Sequence, residues 1–222
     1  MKLTANVIGA TGLTGSELVE LLLNDDRFGK VNIFVRRDTK IRHSKLEQHL
    51  VDFRNKRTWV KKLKGDVLFS ALGTTLKQAG SKDKEYEVDF TFNFEFAQEA
   101  KKNGIRNYVL VSSIGANPKS RLFYPRMKGE LDSAVHKLGF KNIAILRPSS
   151  LTGKRNNRRL MEELSIPVVR LLTRFIFKKY RPISGRTVAE AMVCAAVNPN
   201  PHKTIWEADE VFDLANECIG SK

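Results

Sequence analysis

Apolar positions along this chain alternate between two rhythms. Short runs at 2–8, 30–36, 48–52, 66–72, 106–112 and 141–147 are apolar enough to read as buried strands. Between them, at 13–24, 55–63, 83–103 and 122–138, apolar residues recur at helical spacing. Gly104 and Gly139 stop two of these helices, and Pro148 halts the sixth strand. The C-terminal third adds helical patterns at 158–176, 186–197 and 207–219 and a short strand at 203–206. Such alternation implies right-handed crossovers and an α/β fold, a doubly wound parallel sheet with helices on both faces. At 222 residues the chain reads as one domain, without repeats or linkers. Residues 149–185 are the least regular stretch. They are expected to form a small C-terminal substrate cap over the carboxyl ends of the strands, where such sheets bind ligands.

Composition is ordinary for a globular protein, with 41% hydrophobic and 28% charged residues. The net charge of +15 is not ordinary, and it would suit a nucleic-acid partner if it were clustered. It is spread over the whole chain instead. The densest part runs from Lys154, Arg155, Arg158 and Arg159 to Lys178, Lys179 and Arg181. Within it, 166–180 mixes bases with apolar residues, as an anionic membrane surface would require and as a helix packed on its apolar face would also show. A basic surface can equally attract a polyanionic cofactor. The two cysteines, Cys194 and Cys218, fall in helical patterns without metal-type spacing, and the four histidines are scattered. Neither a metal site nor a disulfide is expected. No apolar run is long enough to cross a bilayer, and the first strand begins without a secretory signal. These features predict a reduced, cytoplasmic protein.

The chemistry begins at Gly9-Ala-Thr-Gly-Leu-Thr-Gly15, between the first strand and the first helix. In a strand–turn–helix unit one glycine makes the tight turn. A second lets backbone approach a phosphate, and a third lets the helix pack on the strand. The helix N-terminus then offers unpaired N–H groups and a partial positive charge to a pyrophosphate. The spacing here is GxxGxxG. The second strand ends in Val35-Arg36-Arg37-Asp38. An acid at that end prefers the ribose 2′-hydroxyl of NAD, whereas arginine accommodates the 2′-phosphate of NADP. Arg36 is the first candidate for that contact and Arg37 the second, which points to NADP(H).

Tyr124-Pro-Arg-Met-Lys128 opens the helix at 122–138. Residues four apart share a helix face, so Tyr124 and Lys128 can meet one ligand. A neighbouring ammonium favours phenolate and tunes a tyrosine for acid–base work. Upstream, the fifth strand ends in Val111-Ser112-Ser113-Ile114-Gly115, where either hydroxyl could bond a carbonyl or alcohol oxygen.

Taken together, these motifs resemble the short-chain dehydrogenase/reductase superfamily in its atypical or extended-like branch. They are most similar to the NADP-binding oxidoreductase group that includes the tumour suppressor TIP-thirty and its bacterial relatives. The resemblance is carried by GATGLTG at 9–15, Val35-Arg36-Arg37, Ala71-Leu72-Gly73-Thr74-Thr75, Gln78-Ala79-Gly80-Ser81 and Val88-Asp89. It continues through Ser112 to Ala116, Ser120, Tyr124 to Glu130, and Leu146-Arg147-Pro148-Ser149, so it covers nearly the whole chain. It implies a Rossmann fold, with Gly9, Thr11, Gly12, Leu13, Thr14 and Gly15 along the pyrophosphate. Arg36 would meet the ribose phosphate, Leu72 and Gly73 the adenine-side ribose, and Pro148 the nicotinamide. Tyr124 would move the proton and Lys128 would hold the nicotinamide ribose. Ser113 is the better catalytic hydroxyl by position, with Ser112 the alternative, and Asn93 stands on the helix that carries a relay asparagine in many members.

Three functions follow from these residues. The first is an NADP-dependent oxidoreductase acting on a small carbonyl or alcohol. The second is a non-enzymatic NADP(H)-binding redox sensor. The third is a nucleotide-sugar epimerase or dehydratase, enzymes that usually carry a larger C-terminal substrate domain. The substrate and the oligomeric state have no signature in the sequence.

Overall fold

The structure, a computed structural model, describes residues 2–152 and 181–219. Seven parallel strands form one sheet in the order β3-β2-β1-β4-β5-β6-β9, the Rossmann arrangement with one strand added at its end. They are β1 (Leu3–Ile8), β2 (Phe28–Val35), β3 (Leu46–Leu50), β4 (Val67–Ser70), β5 (Asn107–Val111), β6 (Asn142–Arg147) and β9 (Ile205–Glu207). Alternation along each strand feeds two cores. Val7, Ile33, Phe69 and Val109 pack on one face, under α1 (Leu13–Asn24), α6 (Gly185–Val197) and α7 (Asp209–Ile219). Ile8, Phe34, Leu68 and Leu110 face the other side, under α4 (Asn93–Lys102) and α5 (Phe123–His136). Ala5 pairs with Val31 on one side and Val67 on the other, so the chain reverses its direction of travel across the sheet at β1. The crevice beyond β1 and β4 is therefore the switch point where such sheets bind ligands.

Local details depart from the expected elements. The helix expected at 55–63 is two 3₁₀ turns, Lys56–Thr58 and Val60–Lys62, interrupted at Trp59, which leaves helical geometry and stacks on Phe96 at 3.8 Å. The helix expected at 83–103 is broken into α3 (Lys82–Tyr86), a π-turn over Glu87–Phe92, and α4. Asn93 Nδ2 donates to the Val88 and Asp89 carbonyls, so a side chain occupies acceptors that a regular helix would share with its backbone. A short helix, α2 (Leu76–Ala79), precedes α3; Thr75 caps α2 and Ser81 caps α3.

The reduced-thiol expectation fails. Cys194 on α6 and Cys218 on α7 form a disulfide, with Cα atoms 5.6 Å apart. The two helices pack side by side on the sheet, a proximity that spacing in sequence does not reveal. The two ends of the irregular segment do meet, since β7 (Leu151–Thr152) pairs in parallel with β8 (Ile183–Ser184). The helix expected at 158–176 and most of the basic stretch lie outside the described residues.

Candidate functional site

The glycines after β1 act by close approach. Gly9 has φ of +79°, and a β-carbon there would stand 2.4 Å from the backbone of Ala71. One on Gly15 would stand 2.0 Å from the Gly9 carbonyl oxygen. Gly12 donates to that same oxygen at 2.9 Å and is the N-cap of α1, with no side chain capping the helix. The first N–H groups of α1 therefore face outward from the turn, with exposed Thr11 beside them. Thr14 is buried, and its Oγ1 has no hydrogen-bond partner among the described residues. This bare cradle fits a dinucleotide pyrophosphate. Gly185, which the sequence analysis passed over, supports it from outside: a β-carbon there would lie 2.8 Å from the Leu13 carbonyl oxygen. Arg186 then ties α6 to Glu20 at 3.0 Å and Glu17 at 3.4 Å on α1.

At the end of β2, Arg36 and Arg37 are exposed. Asp38, the acid that could compete for a ribose, is held by both Arg42 nitrogens, at 2.7 and 3.0 Å, and by the Lys40 N–H at 2.8 Å. Arg42 keeps its carboxyl well below the usual range.

Beyond β4, the peptides of Leu72, Gly73 and Thr74 are pinned by buried side chains. Asn93 accepts from Ser70 Oγ and donates to the Leu72 carbonyl at 3.1 Å. Its amide also donates to the Val88 and Asp89 carbonyls. Asp89 accepts the Thr74 N–H at 2.7 Å. Its carboxylate also lies 3.7 Å from Lys128 Nζ, and the two side chains are 2% and 3% exposed. Burial pushes the Asp89 carboxyl up, opposed by the Lys128 ammonium.

The β5 end separates the two serines. Ser112 is buried, and its hydroxyl opposes the upward push of burial on the Asp132 carboxyl. Ser113 is half-buried in the loop that follows. That loop lies directly on α5. A β-carbon at Gly129 would come within 2.3 Å of the Asn117 carbonyl carbon, and Asn117 N–H donates to the Pro125 carbonyl at 2.9 Å. Glycine inside a helix is the signal that could have revealed this contact. Tyr124 stands in the first turn of α5 and is 39% exposed. One turn further, Lys128 Nζ reaches back to the Val111 carbonyl at 3.4 Å. At β6, Pro148 is buried, and its carbonyl accepts the Ile114 N–H at 3.0 Å. Arg147 bonds Asp132 at 2.9 Å. The topology thus gathers the glycine turn, Leu72, Gly73, Ser113, Lys128 and Pro148 at the carboxyl ends of β1, β4, β5 and β6, with Tyr124 one helical turn before Lys128. Arg36 and Arg37 stand one strand away, beyond β2.

Fold and turn define a dinucleotide-binding protein, and comparison with known proteins agrees. A family model described as NAD(P)H-binding matches residues 9–199, so the chain belongs to that NAD(P)H-binding family. The chain is 34% identical over 225 residues to "Protein FMP52-1, mitochondrial" of Scheffersomyces stipitis, covering 96% of this chain and 98% of the relative. It is 40% identical over 155 residues to "Protein FMP52, mitochondrial" of Saccharomyces cerevisiae, covering 68% and 67%. Among solved structures, a UDP-N-acetylglucosamine 4-epimerase from Methanobrevibacter ruminantium superposes with a TM-score of 0.71 at 16% identity, over 100% of this chain and 84% of that one. A short-chain dehydrogenase/reductase superfamily protein from Agrobacterium tumefaciens with bound NAD gives 0.68 at 14% identity, over 98% and 82%. At such identities these two share the fold alone. The relatives' names overturn the cytoplasmic expectation, which rested on the cysteine pattern and on the lack of a recognised targeting signal or membrane span.

Proposed function

We propose that this protein is an NADPH-dependent oxidoreductase of the mitochondrion that reduces a small carbonyl compound. The observation that carries this reading is Lys128, an ammonium buried to 3% exposure, held by Asp89 and the Val111 carbonyl one helical turn from Tyr124. A buried charge is retained where it has partners and work to do. The kinship with the TIP-thirty group belongs to the same reading.

Gly9, Gly12, Gly15 and the open N-terminus of α1, with Thr11, Leu13 and Thr14, hold the pyrophosphate. Arg36, assisted by Arg37, takes the 2′-phosphate, and the engagement of Asp38 by Arg42 removes the competing acid. Leu72 and Gly73 line the adenosine side, and Pro148 the nicotinamide side. The bound dinucleotide supplies a hydride. Lys128 would hold the nicotinamide ribose, one helical turn from Tyr124. Ser113 donates a hydrogen bond to the substrate oxygen, and Tyr124 gives that oxygen its proton as negative charge develops. Ser112, buried against Asp132, is left with a structural part. The phenolate so formed recovers its proton from water, which the exposure of Tyr124 allows.

Titration with NADPH and NADH, followed by nicotinamide fluorescence, tests the first half of this reading. NADPH should bind at least tenfold more tightly; binding of neither would end it. A panel of aldehydes and ketones then tests the second half. NADPH oxidation should appear with the wild type and fall by about a hundredfold or more in Tyr124→Phe. Binding without turnover across the panel, or equal turnover by the variant, would favour a nucleotide sensor.

A further inference from the structure

Asp89 and Asn93 are buried side chains four residues apart, and they take opposite ends of one short piece of backbone. Asn93 holds the Leu72 carbonyl at 3.1 Å, and Asp89 Oδ2 accepts the Thr74 N–H at 2.7 Å. Gly73 lies between them, so close that a β-carbon on it would come within 3.2 Å of Asp89 Oδ1. That same Oδ1 is 3.7 Å from Lys128 Nζ. Two further acids stand near this pair. Glu85, buried on α3, repels negative charge on Asp89, and Asp132, one turn beyond Lys128 on α5, is engaged by Arg147 at 2.9 Å. Among the described residues, Asp89 is the carboxylate in salt-bridge range of Lys128.

Resting on the function proposed above, we infer that Asp89 is a positioning residue coupling the two halves of the dinucleotide site. One oxygen fixes the peptide at Thr74 on the adenosine side, and the other fixes the Lys128 ammonium on the nicotinamide side. A buried ammonium that loses its counter-charge bears an uncompensated desolvation cost and loses the contact that holds it in place. Asparagine at position 89 keeps an oxygen for the Thr74 N–H and removes only the charge. Its effect therefore reports on Lys128 rather than on the loop.

The test measures NADPH affinity by fluorescence from pH 6 to pH 9, with thermal unfolding beside it. Asp89→Asn should bind NADPH about tenfold more weakly at neutral pH. In a Lys128→Gln background the same change should cost less than about threefold, since the partner is gone. A folded Asp89→Asn whose affinity tracks the wild type across this range overturns the inference, as does an equal loss in both backgrounds. If Asp89→Asn does not fold, the Asp89→Asn/Lys128→Gln protein decides. Recovered folding with the affinity of Lys128→Gln alone supports the coupling, and a further loss of affinity refutes it. Wild-type protein that binds neither nucleotide removes the oxidoreductase reading and the coupling with it. Wild-type binding with an unaltered Asp89→Asn removes the coupling alone.

Discussion

Gly129 faces the backbone of Asn117 so closely that a β-carbon would stand 2.3 Å from the Asn117 carbonyl carbon. A helix glycine is ordinarily a liability, and alanine would stabilise it by about 1 kcal/mol. Here the loop carrying Ser113 depends on that missing atom to lie against the helix carrying Tyr124. Gly129→Ala should therefore destabilise the protein by about 2 kcal/mol or more, read from urea unfolding. A variant as stable as the wild type would show that the loop can withdraw without cost.

The turn after β1 makes a sharper case, because a β-carbon on Gly15 would lie 2.0 Å from the Gly9 carbonyl oxygen. Gly15→Ala must displace the turn from the helix. We expect NADPH affinity to drop by at least a hundredfold while circular dichroism keeps its α/β signature. Retained affinity would mean that the cradle tolerates a different turn.

Arg36 and Arg42 should act on nucleotide choice in opposite ways. If Arg36 takes the 2′-phosphate as proposed, Arg36→Ala removes a charge-assisted contact of about 2 kcal/mol, so NADPH should weaken by ten- to a hundredfold while NADH stays within about threefold. Arg42→Ala frees Asp38 from its ion pair and should raise the affinity for NADH relative to NADPH. Parallel changes for both nucleotides in both variants would refute the assignment.

Asp132 gives the stability a pH dependence of predictable sign. Burial raises its carboxyl pKa in the folded state, with Ser112 and Arg147 opposing. A group raised on folding binds its proton more tightly in the folded protein than in the unfolded chain. Its contribution is complete below the ordinary carboxylate value and disappears as pH rises through the folded-state value. The stability of the wild type relative to Asp132→Asn should therefore decline as pH rises across that window. Matched thermal unfolding curves would show it, and a difference that grows with pH would contradict it.

The Cys194–Cys218 bond closes a loop of 24 residues between α6 and α7. Cross-links of that span are worth about 3 kcal/mol through the unfolded chain. Reduction, or Cys218→Ser, should lower the melting temperature by several degrees. The unreduced protein should show no titratable thiol and the reduced protein two. Thiols free from the start would remove the bond from the native state.

Much of the frame could be read without coordinates. The alternation of Val7 with Ile8 and of Ile33 with Phe34 marks buried parallel strands, because successive side chains enter opposite cores. The failures are equally physical. Trp59 interrupts a helix that spacing predicts, since stacking on Phe96 outweighs local periodicity. Asn93 stands on the helix to which the resemblance points, and what spacing could not show is that its amide also reaches the Leu72 carbonyl, brought to it by the return of β4. Asp89 was noticed as part of a resemblance, while its bond to Thr74 and its approach to Lys128 join segments distant in sequence.

The sequence by itself determined which residues could do chemistry and the class of cofactor they suit. Glycines, arginines and a Tyr–Lys pair at helical spacing are local patterns, set by the steric and charge properties of neighbours along the chain. Tertiary structure alone decided that Gly129 must be bare, that Asn93 reaches the Leu72 carbonyl and Asp89 the Thr74 N–H, and that two cysteines meet. Each of these depends on how segments pack in space, and close packing has no sequence period to announce it.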